Sequence, residues 1–439
     1  MSEALAAQMC EANGIDVVHV GQFDYAGIFR ERRLRKSSFM AWARAPKFAN
    51  TLAKWDSADS LFAGGPHLTE EVAIDWDSLR RWSFEDRAGL VIADFAGPSR
   101  ALMPRSVLAR QIERAAALGF GVKAAFEFEF LLLDETAQSL RASHYGAPTR
   151  FAPDNKCWSG QTAAEHAALV AGLEKVVAAN DIALFGLAGE LGPGCFEATL
   201  GATAGLRAAD DAALFRQVTR AFARQRDMTA SFMPLLGEGY PGLGGHLSLS
   251  LTDRATGSNL FSDPSGQTNP LARHFIAGMA DIVPESFALC AHTVNAFRRF
   301  APGSWAPKSL TWAEWTFTTA IRSAPSALED ARLEFRLPGA DCNPHLTLAL
   351  MLGAGLDGIE RALSEPAPAG DLGPDDIQPG AARLPANLAD AAQRLADSAK
   401  ARRLFGDPFV DRFSAACRQE HAALARAVSA QELARYIEG

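Results

Sequence analysis

The stretch FEFEFLLL at residues 126–133 sets two glutamates among three phenylalanines and runs on into three leucines. Side chains alternate along a strand with period 2, so Glu127 and Glu129 share one face while Phe126, Phe128 and Phe130 take the other. That arrangement sets two like charges about 7 Å apart on a strand with an apolar back. An exposed polar edge accounts for such a pattern, and so does a metal served by both carboxylates. A lone Glu-X-Glu is common and weak as a metal signal.

Two more segments repeat the peculiarity. In HLSLSL (246–251), His246, Ser248 and Ser250 oppose Leu247, Leu249 and Leu251; in RLEFRL (332–337), Arg332, Glu334 and Arg336 oppose Leu333, Phe335 and Leu337. A fourth, GELGPGCFEATL (189–200), supplies Glu190 and Glu197 across a Gly-Pro-Gly turn. If the four converge, Glu127, Glu129, Glu190, Glu197 and Glu334 bring five carboxylates and one histidine into one cleft. Such a set cannot all ionise without compensating cations, because each carboxylate raises the pKa of the others. Oxygen donors with one imidazole suit hard divalent ions such as Mg²⁺ or Mn²⁺, not a thiolate zinc site.

The rest of the chain frames these segments. Its 439 residues allow a large core, and 48% hydrophobic with 21% charged residues describes a soluble globular protein. The acidic start shows no basic n-region before an apolar core, and the longest apolar runs fall short of the ~20 residues of a membrane helix, so a cytoplasmic protein with no membrane partner is expected. Six cysteines without a CxxC pair argue against a disulfide framework. A net charge of −8 disfavours nucleic acid, and the basic run at 30–36 (RERRLRK) reads as a solvated hairpin face or a subunit contact.

Residues 15–24 and 27–36 read as paired strands, and turn-rich, strand-like sequence continues to about residue 98. A helix over 105–121 then leads into FEFEF, a helix over 163–181 precedes the next strand, and a helix over 210–232, capped by Asp210 or Asp211, precedes HLSLSL. The stretch 137–160 reads as a long irregular loop suited to substrate. A proline- and glycine-rich linker at about 365–380 separates a helical tail.

Together the segments resemble the glutamine synthetase superfamily, and within it the branch that joins glutamate to organic amines. FEFEFLLLD, GELGPGCFEATL, GLGGHLSLSL, NAFRRFAPGSWAP (295–307), AIRSAP and RLEFRLPGADCNPHL match its ordered motifs from about residue 15 to the C-terminus. The resemblance implies an α+β fold: a small N-terminal β-grasp domain over 1–100, and a catalytic domain over 101–439 with a curved antiparallel sheet and surrounding helices. It also implies a hexameric ring or dodecamer with active sites between subunits. The implied reaction is ATP-dependent phosphorylation of a glutamate side-chain carboxylate, followed by attack of an amine on the acyl phosphate; the alternatives are an ammonia-using glutamine synthetase and a non-catalytic member of the family that binds nucleotide or amino acid.

By residue, Glu129, Glu190 and Glu197 would hold one Mg²⁺ or Mn²⁺, and Glu127, His246 and Glu334 another on the nucleotide side. Arg299, Arg336 and Gly242 would hold the amino acid; Arg322, Arg332, Ser248 and Ser250 would lie along the nucleotide phosphates. Asp56 would serve the amine from a neighbouring subunit. Four positions depart from the ammonia-using pattern. Trp305 stands where a flap glutamate helps deprotonate ammonium, Ser248 replaces a histidine, Phe317 replaces a phosphate-holding arginine, and Pro241 replaces an asparagine. An indole cannot accept a proton but packs against an organic amine. Cys195, between two candidate ligands, reads as a small buried filler.

Overall fold

The computed structural model describes residues 3–436 except 238 and 374; the last three residues of the 101–439 unit and residue 374 of the linker lie outside the described residues. The β-branched, apolar run IDVVHVGQF forms β1 (Val17–Phe23), which turns back at Tyr25–Gly27 into β2 (Phe29–Arg35). With β3 (Lys47–Ala49), β4 (Thr69–Arg81) and β5 (Ala88–Phe95) these make a five-stranded sheet in the order β2-β1-β5-β4-β3, with β1 and β5 parallel at its centre. Val18, Val20, Val91 and Ala93 bury one face of this sheet in a core of its own with Phe39 and Phe95.

The second sheet has nine strands: β6 (Phe120–Leu133), β7 (Leu184–Gly189), β8 (Cys195–Leu200), β9 (Thr203–Ala204), β10 (Thr229–Ser231), β11 (Gly245–Asp253), then, after the separate short strand β12 (Ser309–Leu310), β13 (Trp312–Glu314), β14 (Ile321–Ala324) and β15 (Arg332–Phe335). Its order is β13-β14-β15-β11-β6-β8-β7, with β9 and β10 also on β6. The pairs are antiparallel except β13 with β14, which run parallel, so the expected all-antiparallel sheet has one exception. The chain is mixed α+β.

Alternation in β6 follows the sequence. Phe126, Phe128 and Phe130 are at most 1% exposed, while Glu127 and Glu129 face the other side. Behind the sheet, Phe128 and Phe130 pack on Phe215 and Phe232, with ring centroids 5.3–6.2 Å apart. Phe215 belongs to the helix Leu206–Arg224, and the helix Pro344–Glu360, buried almost all round, packs against Pro270–Ser286, Pro104–Ala117 and Leu206–Arg224.

Three local readings change. The 163–181 helix is two, Gly160–Glu165 and Ala167–Ala179, meeting at His166. The irregular stretch 137–160 begins with a capped turn of helix, Ala137–Ala142. The 210–232 helix runs instead from Leu206 to Arg224 and gives way to β10, so Asp210 and Asp211 lie inside it and do not cap it. Both acids are buried in ion pairs: Asp210 with Arg105 and His345, Asp211 with Arg80 and Arg207. A carboxylate in a buried helix interior is tolerable only with such partners.

Candidate active site

Register brings the polar faces of the strands together. In the ladders His246 lies opposite Glu127, Glu197 opposite Glu129, and Glu334 between Ser248 on one side and Arg322 on the other. Side chains directly opposite stand within about 4.5–5.5 Å at Cβ. Five strands therefore contribute to one polar surface backed by the phenylalanine core.

At its centre the ligand atoms of Glu127, His246 and Glu334 all lie within 4.8 Å of one another. His246 Nδ1 is 3.2 Å from Glu127 Oε1 and 3.9 Å from Glu334 Oε1, and its Nε2 is 3.9 Å from Glu129 Oε1. Thr199 donates its hydroxyl to Glu127 at 3.1 Å. Glu129 is clamped by Gly244: its carboxylate accepts from the Gly244 N–H at 2.8 Å, and its own N–H donates to the Gly244 carbonyl at 2.9 Å. Gly244 is required here, since a Cβ would sit 2.4 Å from His246 Nε2.

The electrostatics match a cation site. Burial opposes the charge on Glu127, but the hydrogen bond and charge of His246, with Arg336 and Thr199, hold its carboxyl well below the usual range. Burial and the neighbouring Glu127, Glu129 and Glu190 push Glu197 far up. Glu334 is buried but lies lowered, because Arg336, His246 and Arg322 favour its anion. Arg322 donates to it at 2.9 Å, and Arg336 from the opposite flank. The donor set, carboxylate oxygens and one imidazole with Glu197 pushed up by burial and its acidic neighbours, fits a hard divalent ion.

Among the described residues no second trio closes as tightly as Glu127, His246 and Glu334. Glu129, Glu190 and Glu197 are nonetheless close enough to raise the Cys195 thiol jointly with its burial, which leaves that residue an inert filler. Glu190 is held from the irregular stretch: the Cys157 thiol lies 3.2 Å from it, and the Trp158 indole N–H donates at 3.1 Å. The sequence reading missed Cys157, Trp158 and Thr199. Thr199 follows from the period of β8, two residues past Glu197, whereas nothing periodic marks Trp158.

Arg299 runs buried beneath the site. It donates to the Leu337 carbonyl at 3.0 Å and approaches His246 at 3.5 Å, and its Nε has no partner; burial pulls it down to about 10. Gly242 lies against it, where a Cβ would stand 3.2 Å from Arg299 Cγ and 3.3 Å from Ser304. Trp305 sits on an adjoining loop with φ 58° and 55% exposed. Phe317 lays its ring 4.3 Å from the Arg322 guanidinium and 5.3 Å from that of Arg336, while its carbonyl accepts from Arg336 at 3.1 Å.

Three expected residues stand apart. The Ser250 hydroxyl is 9% exposed and donates to the Ala331 carbonyl at 2.7 Å, so it braces β11 against the chain before β15. Arg332, at the start of β15, donates to the Asp330 carbonyl at 3.1 Å. Asp56 caps its own turn, accepting from Ala58 and Ser60 at 2.9 Å, and lies beside Glu420 of the tail; among the described residues of one chain it contacts none of the cluster.

Comparison with known proteins agrees with this geometry. Residues 101–436 match the family model "Glutamine synthetase, catalytic domain". The chain belongs to the glutamine synthetase family. It is 30% identical to the glutamate–isopropylamine ligase of a Pseudomonas species, over 98% of this chain and 96% of that one. It is 30% identical to the gamma-glutamylethanolamide synthetase of Streptomyces coelicolor, over 88% and 81%. A solved ligand-free structure of GmaS shares the fold at a TM-score of 0.85, with 99% of both chains covered and 23% identity. At Phe317, where the resemblance implied a phosphate-holding arginine, the side chain instead lays its ring against two guanidiniums.

Proposed function

We propose that this member of the family is an ATP-dependent ligase that joins the side-chain carboxylate of glutamate, or a close analogue, to a primary organic amine. The observation that carries the reading is the cluster of Glu127, His246 and Glu334 flanked by Arg322 and Arg336, with an indole and no carboxylate on the adjoining flap. The names of the glutamate–isopropylamine and gamma-glutamylethanolamide relatives support it.

In this reading Glu127, His246 and Glu334 hold one Mg²⁺ or Mn²⁺, and Glu129, Glu190 and Glu197 another; such ions neutralise phosphate charge during transfer. Arg299, Arg336 and the Gly242 backbone orient the amino acid. Arg322, steered by Phe317, meets the phosphate, with Ser248 and Arg332 further along the nucleotide. The glutamate carboxylate attacks the terminal phosphorus and ADP leaves. The amine nitrogen then attacks the acyl carbon, inorganic phosphate departs and one proton is lost from nitrogen. Trp305 offers an apolar wall to the substituent of the amine.

The same reading takes the five-stranded sheet as the β-grasp unit, residues 1–100, in a ring of six or a dodecamer where Asp56 reaches a neighbour's amine site. In a single chain the Asp56 carboxylate accepts from the N–H groups of Ala58 and Ser60 in its own turn. No helix among the described residues is long and apolar enough to cross a membrane. Incubation with Mg²⁺, ATP, glutamate and a panel of amines is expected to give amine-dependent phosphate release. Release stimulated by ammonia but by no organic amine would leave an ordinary glutamine synthetase instead.

A further inference from the structure

A cleft of about 760 Å³ opens where the β1–β2 hairpin meets the helix Leu206–Arg224, on the far side of β6 from the candidate active site. Its helical wall carries Arg216, Arg220 and Arg224, and its other wall is apolar, with Phe29, Trp82 and Phe84. Four-residue spacing lays the three guanidinium stems along one face of the helix, where like charges repel. Among the described residues none of the three makes an ion pair.

Buried polar atoms around this cleft lack partners. Arg216 is 3% exposed; one Nη donates to the Ala340 carbonyl at 3.0 Å, but its Nε has no partner. His292, 9% exposed, has an unpartnered Nδ1, and so has Asp341 at Oδ1, although its other oxygen accepts from Thr293 at 2.6 Å. Burial, then Arg216 and Arg224, pull Arg220 down to about 9, and burial pushes Asp341, the one acid lining the cleft, up to about 6. Buried polar groups are ordinarily satisfied, and three guanidinium forks beside an aromatic wall are the complement of an anion with an apolar body.

We propose that this cleft binds a small organic anion, its phosphate or carboxylate head held by Arg216, Arg220 and Arg224 and its flat apolar body lying on Trp82 and Phe84. Trp82 and Phe84 already pack with ring centroids 5.2 Å apart. Arg216 lies 5.5 Å from the ring of Phe128, the residue between Glu127 and Glu129, so the two sites share β6 from opposite faces.

Titration calorimetry of the full-length protein without nucleotide or metal tests this, using phenyl phosphate, benzoate and inorganic phosphate as probes. Phenyl phosphate or benzoate is expected to bind, the stronger of the two naming the head group. R220Q/R224Q is expected to weaken it at least about tenfold, as loss of two charge-assisted contacts requires, and R322Q in the candidate active site to leave it unchanged. Should R220Q/R224Q not fold, the exposed R224Q alone is expected to weaken binding about threefold. No binding by the wild type, loss in R322Q but not in the cleft variants, or equal binding of inorganic phosphate by every variant would each overturn the proposal.

Discussion

Replacing Arg105 by methionine tests how the two sheets are held together. Arg105 is 3% exposed and meets Asp210 in a two-pronged contact at 2.9 Å for each prong, with Asp75 of β4 and Asp94 of β5 on its remaining N–H groups. His345 adds a contact to Asp210 at 2.8 Å. One guanidinium thus answers three carboxylates from both parts of the chain. Burial pushes Asp94 up even with arginine present, whereas for Asp210 Arg105 and His345 outweigh burial and keep it ionised. Methionine fills the stem's volume and removes the charge, leaving buried Asp210 with His345 alone and the half-buried Asp75 and Asp94 without Arg105, a loss of about 3–5 kcal/mol.

The sign with pH follows. In the native protein Asp210 has a lowered folded pKa, so its contribution is present above the unfolded value and is lost as pH falls through the folded one. In the variant the acids that lose Arg105 have raised folded pKa values, so the folded state takes up protons and the penalty shrinks as pH falls from about 8 to about 5. Urea unfolding at one fixed protomer concentration, because assembly adds to apparent stability, should show both. A loss below about 1 kcal/mol at the upper pH, or one that does not change with pH, would refute the reasoning.

Trp305→Glu restores a carboxylate on the flap and is expected to shift the ratio of kcat/KM from organic amines toward ammonia by about tenfold or more, as for gaining a general base; an unchanged ratio would remove Trp305 from amine selection. Gly244→Ala drives a methyl group into His246, so Mn²⁺ affinity measured by calorimetry should fall about 10–100-fold while circular dichroism stays native. Phe317→Ala removes two cation–π contacts worth about 0.5–1 kcal/mol each. It should lower kcat/KM for ATP a few-fold and barely move the unfolding midpoint.

Legibility in the sequence tracked how local the cause was. Period 2 placed Glu127, Glu129, His246 and Glu334 on common faces, because a strand whose back is buried leaves its other face no choice. Asp210 and Asp211 misled because an acid early in a helix reads as a cap, and their partners Arg105 and Arg80 lie more than a hundred residues away. Ser250 shared the right face of β11, yet its hydroxyl is committed to Ala331, a carbonyl that no strand period identifies. Trp158 was invisible for the same reason: it reaches Glu190 from an irregular stretch. The arginine stripe at 216, 220 and 224 is plain in the sequence, but what faces it is set by tertiary packing of the β1–β2 hairpin.

β6 is joined to β8, β9, β10 and β11, so its register is fixed from both sides at once. A slip of one residue would turn Glu127 and Glu129 into the phenylalanine core and bring Phe128 to the surface. The flap that carries Trp305 and the irregular stretch that carries Trp158 lie outside these ladders and are under no such constraint. The spacing of the carboxylates on β6 is the one dimension that cannot drift by small steps.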